Sequence, residues 1–137
     1  MDESMNLVLF SGTDDKLNAS AVLIAGAAAL GKPVNVFLQY WALEAFRRDR
    51  IDRDHGLAPE AGDEGRQHVD ALREAGQASW AETMRQAKEL GGVDIQACSL
   101  SMELLGIEET DLDPLVDGVE GVTSFYLNAG DGQMVFI

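Results

Sequence analysis

Short apolar runs, each followed in the chain by a helix-like stretch, constrain this chain more than any other feature. Asn6 to Phe10 is such a run and stops at Ser11-Gly12. Val34 to Leu38 is a second, and Val93 to Ala97 gives a third strand. The first run, unbroken by alternation, suits a central strand covered on both faces. Between the first two lies Leu17 to Leu30, an alanine-rich helical segment preceded by Asp14 and Asp15, closed by Gly31 and followed by Pro33. Strand, turn and helix in this order open a βαβ unit. The alternation predicts a parallel sheet sandwiched by helices, in a three-layer α/β/α arrangement of about five strands.

The remaining elements follow the same logic. Gln39-Tyr40-Trp41 leads into a short helix over Ala42 to Arg48. Val69 to Leu90 has helical spacing, with Leu72, Trp80, Met84, Ala87 and Leu90 as inward candidates, Gly76 as an internal break and Gly91-Gly92 as the stop. Ser99 to Leu105 is a helix ending at Gly106, Val116 to Val119 a short fourth strand, Thr123 to Ala129 a last helix and Gln133 to Ile137 a final strand. Between Asp49 and Gln67 there are three glycines, one proline and alternating charge without a steady apolar period, which predicts an exposed loop or flexible insert. With 137 residues and 46% hydrophobic content, the chain is expected to form one domain over residues 1–137.

The charge balance limits the partners. Twenty-four Asp and Glu against ten Lys and Arg leave a net charge of −14, which argues against tracking a phosphate backbone. Nucleic acid is not expected as a partner. Met1-Asp2-Glu3-Ser4 carries acid where a secretory signal carries base, and the apolar stretch from Ala19 to Leu30 is too short to span a bilayer. No membrane association is expected, and the expected location is cytoplasmic. A single cysteine excludes an intrachain disulfide and suits a reducing compartment.

That cysteine, Cys98, stands where the third strand meets the following helix. The first free N–H groups of a helix carry partial positive charge and favour thiolate over thiol. The opposite reading is a buried, inert thiol, since free cysteine is among the most buried residue types. In open parallel sheets, ligands collect beyond the carboxyl ends of the strands. Ser11-Gly12-Thr13, Gln39-Tyr40-Trp41 and Cys98-Ser99-Leu100 are expected to converge there, making Gly12, Thr13, Tyr40, Trp41, Ser99 and Leu100 pocket candidates around Cys98. Equally, Tyr40 and Trp41 can serve simply to pack the second helix onto the sheet.

Other motifs point to less. Ser11-Gly12-Thr13-Asp14-Asp15-Lys16 lacks both phosphate-binding glycine patterns and sets two carboxylates where phosphates need donors. His55 and His68 have no cysteine or acidic partner at a recognised metal spacing, so they are read as exposed loop histidines, and no metal or other cofactor is expected. A Cys98–His pair would require the glycine-rich loop to fold back over the thiol. Met84, Met102 and Met134 are expected in the core, and Glu108, Glu109, Asp111 and Asp113 on a solvated face that can dock a basic partner.

Taken together, Leu9 to Lys16, Val36 to Leu43 and above all Ile95 to Ile107 resemble the DsrE/DsrF-like family of small sulfur-relay proteins, in its DsrE2-like, peroxiredoxin-family-like branch. The resemblance implies a compact, usually oligomeric α/β/α domain whose cysteine after the third strand carries sulfur as a persulfide. By position that residue is Cys98. It further implies sulfurtransferase-like exchange of sulfane sulfur with rhodanese-like or TusA-like partners, and a homo-oligomer. The competing expectation is a non-catalytic oligomeric module that binds a small ligand or protein, with Cys98 structural. A thiol peroxidase is disfavoured because the T-x-x-C motif is absent and no second cysteine can resolve a sulfenic acid.

Overall fold

The computed structural model describes residues 3–137. Five parallel strands, β1 (Met5–Leu9), β2 (Val34–Leu38), β3 (Val93–Cys98), β4 (Gly118–Glu120) and β5 (Gln133–Phe136), form one sheet in the order β4-β3-β2-β1-β5. In register, Leu7 pairs with Val36 and Val135, and Val36 with Ile95. Six helices connect them: α1 (Asp14–Ala29), α2 (Tyr40–Ala45), α3 (Gly62–Glu74), α4 (Trp80–Leu90), α5 (Ser99–Leu105) and α6 (Val122–Ala129).

This strand order explains an uneven layering. Successive steps from β1 to β4 all move the same way across the sheet, so right-handed crossovers put their helices on one face. The step from β4 back to β5 runs the other way, and its helix, α6, lies on the opposite face. Side chains divide accordingly, because neighbours along a strand point to opposite faces. Leu7, Leu9, Val34, Val36, Leu38, Ile95 and Ala97 share the main core with α1, α2, α4 and α5. Phe37 and Cys98 instead pack with Phe125 of α6, and Val8 joins them. One helix of eight residues therefore covers the second face.

In α1, Leu17, Ala21, Ile24 and Ala28 recur at helical spacing and are buried. Full burial of Leu17 and Ile24 contributes about 1.5–3 kcal/mol each, and the intervening alanines let α4 approach closely. Asn6 on β1 is fully buried. It donates to the Gln133 carbonyl at 3.0 Å and accepts from Asn35 at 2.9 Å, bridging β5, β1 and β2. The Ser4 hydroxyl donates to the Ala129 carbonyl at 3.1 Å, fixing the end of α6 to the start of β1.

Three expectations need correction. The stretch from Asp49 to Gln67 is not uniformly loop: turns and extended chain give way to a 3-10 turn at Pro59–Ala61 and then to α3, while Ile51 and Ala58 are buried. Val69 to Leu90 does break at Gly76, which has φ 84°, into two helices separated by residues 75–79. Of its inward candidates, Trp80, Met84 and Ala87 are buried but Leu72 and Leu90 are exposed, because α3 has no buried residue and Leu90 caps the solvent end of α4. Met134 is also largely exposed, since it sits on the edge strand where the second face lacks a cover.

Candidate functional site

The carboxyl ends of β1, β2 and β3 meet as expected. The Ala42 amide donates to the Phe10 carbonyl at 3.0 Å, and the Gln39 amide to the Leu9 carbonyl at 2.9 Å. Gly12 lies hard against this turn: a Cβ there would stand 2.3 Å from the Trp41 carbonyl oxygen. The Tyr40 amide then donates to Ser101 Oγ at 3.2 Å, tying α2 to α5. Tyr40 has φ 44°, a left-handed conformation that is strained for a bulky residue. The Ser101 bond and the contact of its ring with Phe10, centroids 5.3 Å apart, hold it there.

Cys98 ends β3 and is the N-cap of α5. Its Sγ accepts a hydrogen bond from the Ser101 amide at 3.4 Å, so one residue, Ser101, links the sulfur to Tyr40. The side chain is only 4% exposed. It faces the sparsely covered side of the sheet, beneath Phe125, and lines neither of the two clefts described below. The pocket candidates accordingly separate. Gly12 packs against the Trp41–Ala42 backbone and Tyr40 is linked to Cys98 through Ser101, whereas Ser99, Trp41 (52% exposed) and Leu100 (60%) are exposed. Thr13 starts α1 on the other face, with its hydroxyl beside Asp15.

That other face holds the larger cleft, of about 770 Å3, between the starts of α1 and α4, the chain from Ile51 to Leu57, and α3. Its hub is Asp14, a buried carboxylate that accepts from Trp80 Nε1 at 2.9 Å, Arg73 at 2.7 Å and the His55 amide at 2.9 Å. Asp54 accepts from the Gly56 amide, Arg66 and Arg73. The Gly56 amide above all, and then the two guanidinium groups, hold its carboxyl down at about 2 against the opposing effect of burial. Asp15 is also held low: burial alone would raise it, but the Thr13 hydroxyl and the amides of Ala58 and Lys16 outweigh that. The second cleft, about 320 Å3, is a shallow one beside Arg85 and Lys88.

Sequence reasoning missed this hub. Asp14 and Asp15 read as helix-start acids, and nothing local announces partners 41 to 66 positions away. His55 is half-buried against Trp80, ring centroids 5.8 Å apart, so the loop folds onto α1 and α4 and not over Cys98. His68 is exposed beside Glu64. Asp113 is not simply solvated but pairs with Arg85 at 3.5 Å. Among the described residues, no three His, Cys, Asp or Glu side chains gather as metal ligands, and no helix is long and apolar enough to cross a membrane.

The fold is a five-stranded parallel α/β domain with a cysteine capping the helix after β3. The chain belongs to the DsrE/DsrF/DrsH-like family, whose model matches residues 1–61 and 66–137, with the gap falling at the start of α3. It is similar to the uncharacterized protein YrkE of Bacillus subtilis, with 26% identity over 149 aligned positions that cover 93% of this chain and 92% of YrkE. Two solved structures share the fold. The crystal structure of the ychN protein from E. coli has a TM-score of 0.57 at 11% identity, covering 97% of each chain. MTH1491 of Methanobacterium thermoautotrophicum, a protein of unknown function, has a TM-score of 0.50 at 19% identity, covering 98% of this chain and all of its own.

Proposed function

We propose that this protein is a sulfur carrier, a sulfurtransferase-like relay that holds sulfane sulfur as a persulfide on Cys98. The observation that carries the proposal is the placement of Cys98 at the β3–α5 junction of a DsrE/DsrF/DrsH-like domain, with Sγ accepting the Ser101 amide. In the first step the Cys98 thiolate attacks the outer sulfur of a donor persulfide R–S–SH. A new S–S bond forms as the donor's S–S bond breaks, giving Cys98–S–SH and the donor thiolate. In the second, an acceptor thiolate takes the outer sulfur and Cys98 leaves as thiolate. No net oxidant or reductant is consumed.

Donor and acceptor are proposed to be other proteins, rhodanese-like or TusA-like, in a reducing cytoplasmic setting that keeps a lone thiol free. Self-association into a closed homo-oligomer is proposed through the outer faces of α1 and α4, where Val22, Leu23, Leu30 and Leu90 are exposed. Light scattering at high micromolar concentration tests this, and a monomer mass removes it.

One observation favours a non-catalytic binding module instead: Cys98 is covered by Phe37, Phe125 and Val8. Intact-mass analysis after incubation with a persulfide donor separates the two. A carrier gains the mass of sulfur on wild type and not on Cys98→Ser. No gain under donor excess, with a thiol that alkylates only after unfolding, establishes the structural role.

A further inference from the structure

The larger cleft stands apart from Cys98, and sulfur relay gives it no task. Its volume of about 770 Å3 is that of a small-molecule site, and Ile51, Leu57, Val69, Leu72 and Trp80 give it an apolar wall. The rest of the lining has a sign: five carboxylates stand against three guanidinium groups, on a chain of net charge −14. Such a field draws cations and repels anions. A cation already sits on the most buried of these carboxylates. Arg73 Nη2 lies 2.7 Å from Asp14, whose side chain is 10% exposed, and Arg73 Nη1 lies 3.1 Å from Asp54. The other Asp14 oxygen accepts from Trp80 Nε1 at 2.9 Å. The helix that brings Arg73 there has no packing of its own to hold it. No residue of α3 is buried, and glycines of positive φ stand at its two ends, Gly62 at 62° and Gly76 at 84°.

We infer that this cleft is a binding site for a small amphipathic organic cation, an amidinium or guanidinium group on an apolar body, and that Arg73 fills the cation seat when the ligand is absent. The ligand's head replaces the Arg73 guanidinium on Asp14 and Asp54, where a planar cation makes charge-assisted hydrogen bonds to carboxylates. Its body lies against the apolar wall that α3 and the chain from Ile51 to Leu57 provide. A neutral molecule of the same shape cannot take the seat, because a carboxylate as buried as Asp14 would lose its counter-charge. The inference is independent of the chemistry at Cys98.

The probe is benzamidine, with the near-isosteric benzamide and benzoate as neutral and anionic controls, titrated into the full chain and followed by NMR. Benzamidine should shift the amides of Asp14, His55 and Leu72 and the Trp80 indole, and bind about tenfold or more tightly than benzamide, while benzoate leaves them unmoved. Arg73→Ala vacates the seat, and Arg66 still ties α3 to Asp54 at 3.2 Å. That variant should bind benzamidine about tenfold more tightly than wild type, since the ligand no longer competes with a tethered cation, and Arg73→Lys should bring the affinity back toward wild type. Benzamidine should also slow hydrogen exchange in α3 of Arg73→Ala, by restoring the cation that the helix lost. Leu72→Ser, at an exposed position, should weaken binding several-fold, and near-ultraviolet circular dichroism verifies the fold of each variant. Benzamide or benzoate binding as well as benzamidine, an affinity indifferent to Arg73→Ala, or shifts centred on the acids from Glu108 to Asp113 would overturn the inference. So would an Arg73→Ala protein that shows no binding at about 10 mM benzamidine.

Discussion

The ring of Phe125 is stacked on that of Phe37, with centroids 4.9 Å apart and planes 16° from parallel, and together with Val8 the pair closes the second face of the sheet over the sulfur of Cys98. Access to the thiol therefore depends on α6, which is flanked by Gly121 and Gly130 and buries only Phe125 and Ala129. Phe125→Ala should raise the native alkylation rate of Cys98 by about tenfold or more while costing about 3 kcal/mol of stability. Phe125→Leu keeps most of the packing and should give an intermediate rate. Equal rates in all three folded proteins would show that the thiol is reached by another route.

Asp14 joins three donors from distant parts of the chain, so removing it leaves the buried Trp80 indole N–H and the part-buried His55 amide without an acceptor and takes one of its two carboxylates from Arg73. Asp14→Ala should lower the urea unfolding free energy by about 3 kcal/mol, the scale for a broken buried charge network. Trp80→Phe, which keeps the ring and removes one donor, should cost about 1 kcal/mol. A loss below that for Asp14→Ala would mean that water replaces the carboxylate at no cost.

Acid should loosen α3 before it unfolds the core. The carboxyl of Asp54 is held at about 2 in the folded protein, below the unfolded value of about 3.9. A depressed carboxylate contributes stability that is present above the unfolded value and lost as pH falls through the folded one, and Asp15 shifts in the same direction. Hydrogen exchange in α3 should thus accelerate as pH drops from about 4 to about 2, once corrected for intrinsic rates. Asp54→Asn should give fast α3 exchange already at neutral pH. Since Asp54 is about half exposed, global stability should change little.

Gly12 is fixed by space and not by backbone freedom. Gly12→Ala would drive a Cβ into the Trp41 carbonyl at 2.3 Å, and neither backbone can yield without parting β1 from α2. Destabilisation of about 2 kcal/mol or more is expected in chemical denaturation, with an altered Trp41 emission maximum. A variant as stable as wild type would mean that the two strand ends adjust independently.

The strands were legible because their apolar runs are short and dense, and the helices around Leu17, Trp80 and Ser99 because their apolar spacing repeats. The first half of helix α3, residues 62–68, was hidden for a physical reason. The helix is held by charge pairs, Arg66 with Asp54 and Asp70, and Arg73 with Asp54 and Asp14, and such pairs leave no apolar period to read. The position of Cys98 at the strand end followed from the sequence. Its cover did not, because which face a side chain occupies depends on strand order, and only the return from β4 to β5 sends α6 to the side where Phe125 meets Phe37.

That return crossing also orders events during biosynthesis. Every fully buried residue of the main core lies at or before Leu115, but the cover over Cys98 comes from residues 122–129 and is anchored by β5 pairing with β1, across about the whole length of the chain. Contacts of such separation form late, after the loop they close has been ordered. A nascent chain therefore carries its only thiol uncovered until α6 docks, and oxidants or electrophiles that spare the finished protein can reach it on the ribosome.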